Sequence, residues 1–128
     1  TLFNAGAGNC HLGGHPEKLF ETFSNVLAKL PAGTRVYPGH EYLARNLAFT
    51  LDREPGNARA AELLAEAESH DPARARVTTL ALEAKINTFF RLGEPEVVAG
   101  LAESVPGFPE SPAPRDVFLA LRKLRNDW

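Results

Sequence analysis

The Pro38-Gly39 pair divides the chain into two kinds of sequence. Ahead of it, short apolar runs suited to strands flank one helical stripe. Beyond His40, almost every apolar pattern repeats at helical spacing. A chain that changes character once, at a turn, folds as an α/β remnant of about forty residues followed by a helical part.

Before the divide, residues 1–3 (Thr-Leu-Phe) read as the end of a strand. Residues 5–14 carry four glycines and read as a loop whose backbone can take positive φ and approach a neighbour closely. Pro16 suits the first turn of a helix, and Leu19, Phe20, Phe23, Val26, Leu27 and Leu30 form one apolar stripe along it. Pro31-Ala32-Gly33 closes that helix, and residues 34–37 make a second short strand. Strand, helix and strand together predict a βαβ-like unit. After the divide, Leu43, Leu47 and Leu51 mark a helix ended by Pro55-Gly56. Asn57 caps a second helix running to about Ser69, and His70-Asp71-Pro72 breaks it. Residues 77–87 begin β-branched and end in helix formers, which leaves strand and helix both open. Pro95 opens a helix carrying Val97, Val98 and Leu101. Residues 105–114 form a proline-rich loop, and Pro114 starts a terminal helix with Val117, Phe118, Leu121, Leu124 and Trp128 on one face.

Composition removes several function classes. The 128 residues are 44% hydrophobic and 23% charged, enough to bury a core. Lys+Arg of 14 against Asp+Glu of 16 gives a net charge of -2, which argues against a nucleic-acid partner. No apolar run approaches the roughly 18 residues that cross a bilayer, which argues against a membrane partner. A single cysteine, Cys10, excludes an internal disulfide framework and makes a reducing cytoplasm the expected compartment. The chain has no Met and opens inside a strand-like run, so it is expected to be a piece of something longer.

The sharpest chemical feature is Tyr37-Pro38-Gly39-His40-Glu41-Tyr42, where a strand ends, a turn follows and a helix begins. Sites in α/β layers gather at such strand ends. On spacing alone His40 reads first as a turn histidine satisfying a backbone group, and second as a metal ligand or general base. Glu41 is expected to cap the following helix. Gly6-Ala7-Gly8 lacks the third glycine of a dinucleotide fingerprint. Cys10, His11 and His15 would join His40 in a metal site only if the fold gathered all four. Phe89, Phe90 and Trp128 read as core.

Residues 36–42 (Val-Tyr-Pro-Gly-His-Glu-Tyr), then Asn46-Leu47, Phe49 and Glu54-Pro55-Gly56-Asn57, resemble the second half of glyoxalase II, the hydroxyacylglutathione hydrolase family. The likeness continues through Thr79-Leu80, Glu83 and Asn87-Thr88-Phe89-Phe90-Arg91, and ends in Leu121-Arg122-Lys123-Leu124-Arg125-Asn126-Asp127-Trp128. It implies an α+β fold. Residues 1–41 would be the C-terminal part of a metallo-β-lactamase αββα layer, and residues 42–128 a mostly helical substrate-binding subdomain.

The resemblance also implies roles. His40 matches the last histidine ligand of a binuclear centre, usually zinc, with iron or manganese as alternatives. Tyr42 resembles the tyrosine that contacts the glutathione backbone, and Arg122 with Arg125 matches the basic pair that grips its glycine carboxylate. At i and i+3 on a helix two guanidiniums project side by side, a spacing that can clamp one carboxylate. Asn9 and His11 stand where the family usually has a basic residue and an aromatic. The thiol carrier is therefore glutathione or that of a related thioesterase or persulfide-handling enzyme. The family's T-H-x-H-x-D-H ligand motif is not in this sequence, so one imidazole is all the chain brings to the metals. The expected function is the C-terminal portion of a metal-dependent thioester hydrolase. The other reading is a non-catalytic helical module, or the complementing half of a split enzyme whose partner is the N-terminal half.

Overall fold

A computed structural model describes residues 1–69 and 76–128. Two small antiparallel ribbons and six α-helices make up the described fold. Strand β1 (Leu2–Phe3) turns back at Asn4-Ala5 into β2 (Gly6–Ala7), with Leu2 opposite Ala7 and Phe3 opposite Gly6. Helix α1 (Pro16–Asn25) follows, and the chain then tightens into a single 3₁₀ turn, Leu27–Lys29. Strand β3 (Arg35–Val36) leads to α2 (Leu43–Arg53) and α3 (Ala58–Glu68). Strand β4 (Thr78–Thr79) runs directly into α4 (Leu80–Ile86), and α5 (Pro95–Ser104) and α6 (Pro114–Asp127) complete the chain.

The mixed, mostly helical α+β class is as expected, but the strands pair differently from a βαβ unit. Among the described residues β1 pairs only with β2, and β3 pairs antiparallel with β4, Arg35 opposite Thr79 and Val36 opposite Thr78. The glycine-rich stretch expected as a loop begins as β2, because a hairpin turn at Asn4-Ala5 returns the chain at once. The undecided residues 77–87 are both things in turn, a strand that becomes a helix where the Thr79 side chain accepts from Leu82 N. Helix α1 ends earlier than its stripe, at Asn25. The expected break at His70-Asp71-Pro72 lies outside the described residues.

The main core gathers Phe23 from α1, Phe49 from α2, Phe89, Val97 and Leu101, and Val117, Phe118 and Leu121 from α6. Phe118 meets Phe23 and Phe89 edge to face at 5.3 and 5.1 Å, the geometry aromatic quadrupoles favour. A second cluster joins Leu43 and Leu47 of α2, Ala60 and Leu63 of α3, Ile86 of α4, and Ala5 of the hairpin turn. Polar links tie these helices. Asn57 caps α3 by accepting from Ala60 N at 2.9 Å while its amide donates to Lys85 O at 2.8 Å. Arg91 forms a two-point pair with Glu54, at 2.8 and 2.6 Å.

The hairpin turn is held from the helical side. Ala5 sits at φ 54°, a left-handed conformation that costs a residue with a Cβ about 1–2 kcal/mol. The fully buried Glu83 carboxylate accepts from Ala5 N at 2.9 Å, from the Thr78 hydroxyl at 2.6 Å and from the Asn87 amide at 2.9 Å. Asn46 donates to Asn4 O at 2.9 Å, and Gly6 is glycine because a Cβ there would lie 2.5 Å from the Asn46 amide nitrogen.

Burial pushes the Glu83 carboxyl above the ordinary glutamate range, with its three donors opposing the shift. A raised native value means the folded protein holds this proton more tightly than the unfolded chain. The contribution to stability is therefore full below about pH 4.3 and is lost as pH rises through the elevated value. Glu83→Gln removes the titration and sets an amide nitrogen against donors that need an acceptor. Urea unfolding should show a loss of about 1–3 kcal/mol and a stability profile with less decline above the ordinary glutamate range. A variant profile parallel to that of the native protein would contradict this account.

Candidate functional site

The turn at Pro38-Gly39 ends β3 and delivers three residues to the start of α2. Glu41 caps the helix as expected, its carboxylate accepting from Leu43 N at 3.0 Å. Tyr42 occupies the N-cap position and remains 45% exposed. Its ring stacks on the exposed His40 at 5.4 Å, and Phe3 of β1 meets it edge-on, also at 5.4 Å. The aromatic contact thus joins the strand end, the turn histidine and the first ribbon.

Beside this group lies a cleft of about 240 Å³. Its walls are Asn9 and His11 after β2, Tyr42 and Arg45 of α2, and Arg122 and Arg125 of α6. Three segments far apart in sequence therefore meet at one place. All five residues expected to bind substrate line it; His40 does not, and stacks on the Tyr42 ring beside it.

The two α6 arginines are not equivalent. Arg122 is 3% exposed, and its Nη1 donates to Ala7 O at 2.8 Å and Gly8 O at 3.0 Å, while Nη2 donates to Asn126 at 2.9 Å. Its Nε is buried with no hydrogen-bond partner. Arg125 is half-buried over the Phe49 and Trp128 rings, at 5.7 and 5.5 Å, and donates to Asn46 at 3.1 Å. Burial holds both guanidiniums below the usual arginine range. The neighbouring charge of Arg125 adds to this at Arg122, and that of Arg45 adds to it at Arg125. No acidic residue lines the cleft, and among the described residues none of the three arginines is in an ion pair. Chemically such a set of guanidiniums suits an anion with planar, two-point oxygens.

Several sequence expectations change here. Among the described residues no group of three or more His, Cys, Asp or Glu could hold a metal, so Cys10, His11, His15 and His40 do not form a cluster. Trp128, expected as core, is 40% exposed and sits edge-on to Phe49 at the end of α6. Asn9 and His11 are exposed, with the Asn9 side chain accepting from His11 N at 3.3 Å. Sequence reasoning passed over Arg45. The available signal was its i+3 spacing from Tyr42, which puts both on one face of α2. Among the described residues no helix is long and apolar enough to cross a membrane.

Comparison with known proteins places this geometry in context. The family described as "Hydroxyacylglutathione hydrolase C-terminus" matches residues 41–128. A protein of Nitrosococcus oceani named hydroxyacylglutathione hydrolase is 60% identical over all of this chain and 49% of its own length. Proteins of the same name from a Polaromonas species and from Anaeromyxobacter dehalogenans are 56% and 44% identical, over 100% and 98% of this chain and 49% and 50% of their own lengths. The chain spans about half the length of the curated relatives it matches. On sequence likeness that runs through every element described above, the chain belongs to the hydroxyacylglutathione hydrolase family.

Proposed function

We propose that this chain is the carrier-binding, C-terminal part of a hydrolase acting on thioesters of glutathione or a closely related small thiol. The observation that carries the reading is the convergence of Asn9, His11, Tyr42, Arg122 and Arg125 on one cleft that holds cations and no acid. In this reading Arg125, with Arg122 behind it, holds a carboxylate of the carrier. Arg122 also fixes the cleft wall through the Ala7 and Gly8 carbonyls. Tyr42 orients the carrier toward His40, on which its ring stacks. These contacts are the same before and during the reaction, so they supply uniform binding.

The reading also includes a metal centre, zinc or alternatively iron or manganese, with His40 as one ligand. The described residues alone do not fit such a centre, since they hold no group of three or more ligating side chains. His40 would therefore be a single exposed contributor, and no step of the reaction is assigned to this chain's residues through the metal. A cytoplasmic setting goes with the same reading.

Two outcomes follow for the intact gene product that contains this chain. Arg125→Ala should raise KM for a hydroxyacylglutathione substrate by about 10- to 100-fold with kcat little changed, since a charge-assisted hydrogen bond is lost from ground and transition states alike. A large fall in kcat at constant KM would contradict the carrier-binding role. His40→Ala should lower the metal content found by elemental analysis, while the Kd for S-methylglutathione stays within about twofold. Full metal occupancy in that variant would overturn the ligand assignment.

A further inference from the structure

Arg45 is the cleft cation that the carboxylate clamp leaves unused. Arg122 and Arg125 share α6 at i and i+3, the spacing at which two guanidiniums take one carboxylate. Arg45 instead enters from α2, on the same helix face as Tyr42. Its Nη2 donates to the main-chain oxygen of Trp128, the last residue of this chain, at 2.8 Å, and among the described residues no Asp or Glu side chain pairs with it. The cleft therefore gathers three positive charges in about 240 Å³, with no acid on its walls.

One carboxylate cannot balance this set. A ligand that fills the α6 clamp with one carboxylate leaves Arg45, on a separate helix, without a ligand oxygen of its own. The repulsion is felt within the protein itself, since the charge of Arg45 adds to burial in lowering Arg125.

We propose that Arg45 is a specificity-determining residue that binds a second carboxylate, so that the cleft selects a thiol carrier bearing two carboxylates over one bearing a single carboxylate. This rests on the carrier-binding reading of the cleft. A glutathione thioester meets the requirement, with its glycine carboxylate and its γ-glutamyl α-carboxylate at opposite ends of an extended tripeptide. Arg45 and the α6 pair would each take one end.

The test is calorimetric titration of the intact gene product with two probes, S-methylglutathione and its glycine monoethyl ester. The proteins are the native form, Arg45→Gln, Arg45→Lys and Arg125→Ala. Arg45→Gln should weaken both probes by about fivefold, the scale of an ion pair at a partly exposed site, because it acts at the carboxylate that esterification leaves intact. Arg125→Ala should weaken the diacid and have little further effect on the ester, since both changes remove the same contact. Arg45→Lys should recover to within about twofold of native, which loss of the Trp128 contact alone does not predict. The proposal is overturned if Arg45→Gln leaves both affinities unchanged, or if its effect disappears with the ester, which would put Arg45 on the same carboxylate as Arg125. Failure of either probe to bind the native protein would overturn the carrier-binding reading itself. Normal weakening by Arg125→Ala with no response to Arg45→Gln would sink this inference and leave that reading standing.

Discussion

The contact on which the rest of the structure depends is the grip of the buried Glu83 carboxylate on the main chain of Ala5. It joins residues 78 positions apart and holds a left-handed alanine that nothing local would stabilise. With that turn fixed, β2 runs back along β1, and the Ala7 and Gly8 carbonyls point at α6, where Arg122 takes both. The arginine thereby locks the C-terminal helix to the N-terminal ribbon. The cleft is the space left beside this lock. The energetic balance is close: a buried carboxylate with three donors and, among the described residues, no ion-pair partner is held only because each donor is in place.

A similar balance governs the cleft. Burial and repulsion from a neighbouring arginine both disfavour the charged forms of Arg122 and Arg125, yet guanidiniums stay charged even when their affinity for the proton falls. The protein offsets the cost with carbonyl acceptors for Arg122 and aromatic faces for Arg125. It leaves the rest uncompensated. An anion arriving in the cleft gains what the fold has left unmade, and for that reason the cleft is read as a binding site and not as a structural arginine cluster.

Much of this was legible in the sequence where the signal is local. Pro16, Pro95 and Pro114 each open the helix expected of them, and Asn57 caps α3 with its own side chain. The residues of the cleft were legible only through family resemblance, because Asn9, Tyr42 and Arg122 become neighbours by tertiary packing and share no spacing. The hairpin was not legible. Its left-handed position holds Ala and not Gly or Asn, the residues that signal such a turn, and its support comes from Glu83 far along the chain. The pairing of β3 with β4 was missed for a like reason, since two-residue strands carry almost no periodicity of their own. Trp128 was misread because an apolar stripe gives the face of a helix, while the end of α6 extends past the core that the stripe covers.

Membership of the hydroxyacylglutathione hydrolase family and the geometry of the cleft meet at the arginine side chains, which makes them the place to test the account. The most direct measurement is an NMR titration of ¹⁵N-labelled protein with S-methylglutathione, following the arginine Nε–H resonances. The account predicts saturable shifts at Arg45, Arg122 and Arg125, with Arg59 and Arg76, which pair with glutamates outside the cleft lining, left in place. Shifts of equal size at Arg59 and Arg76, or none at the three cleft arginines, would contradict it.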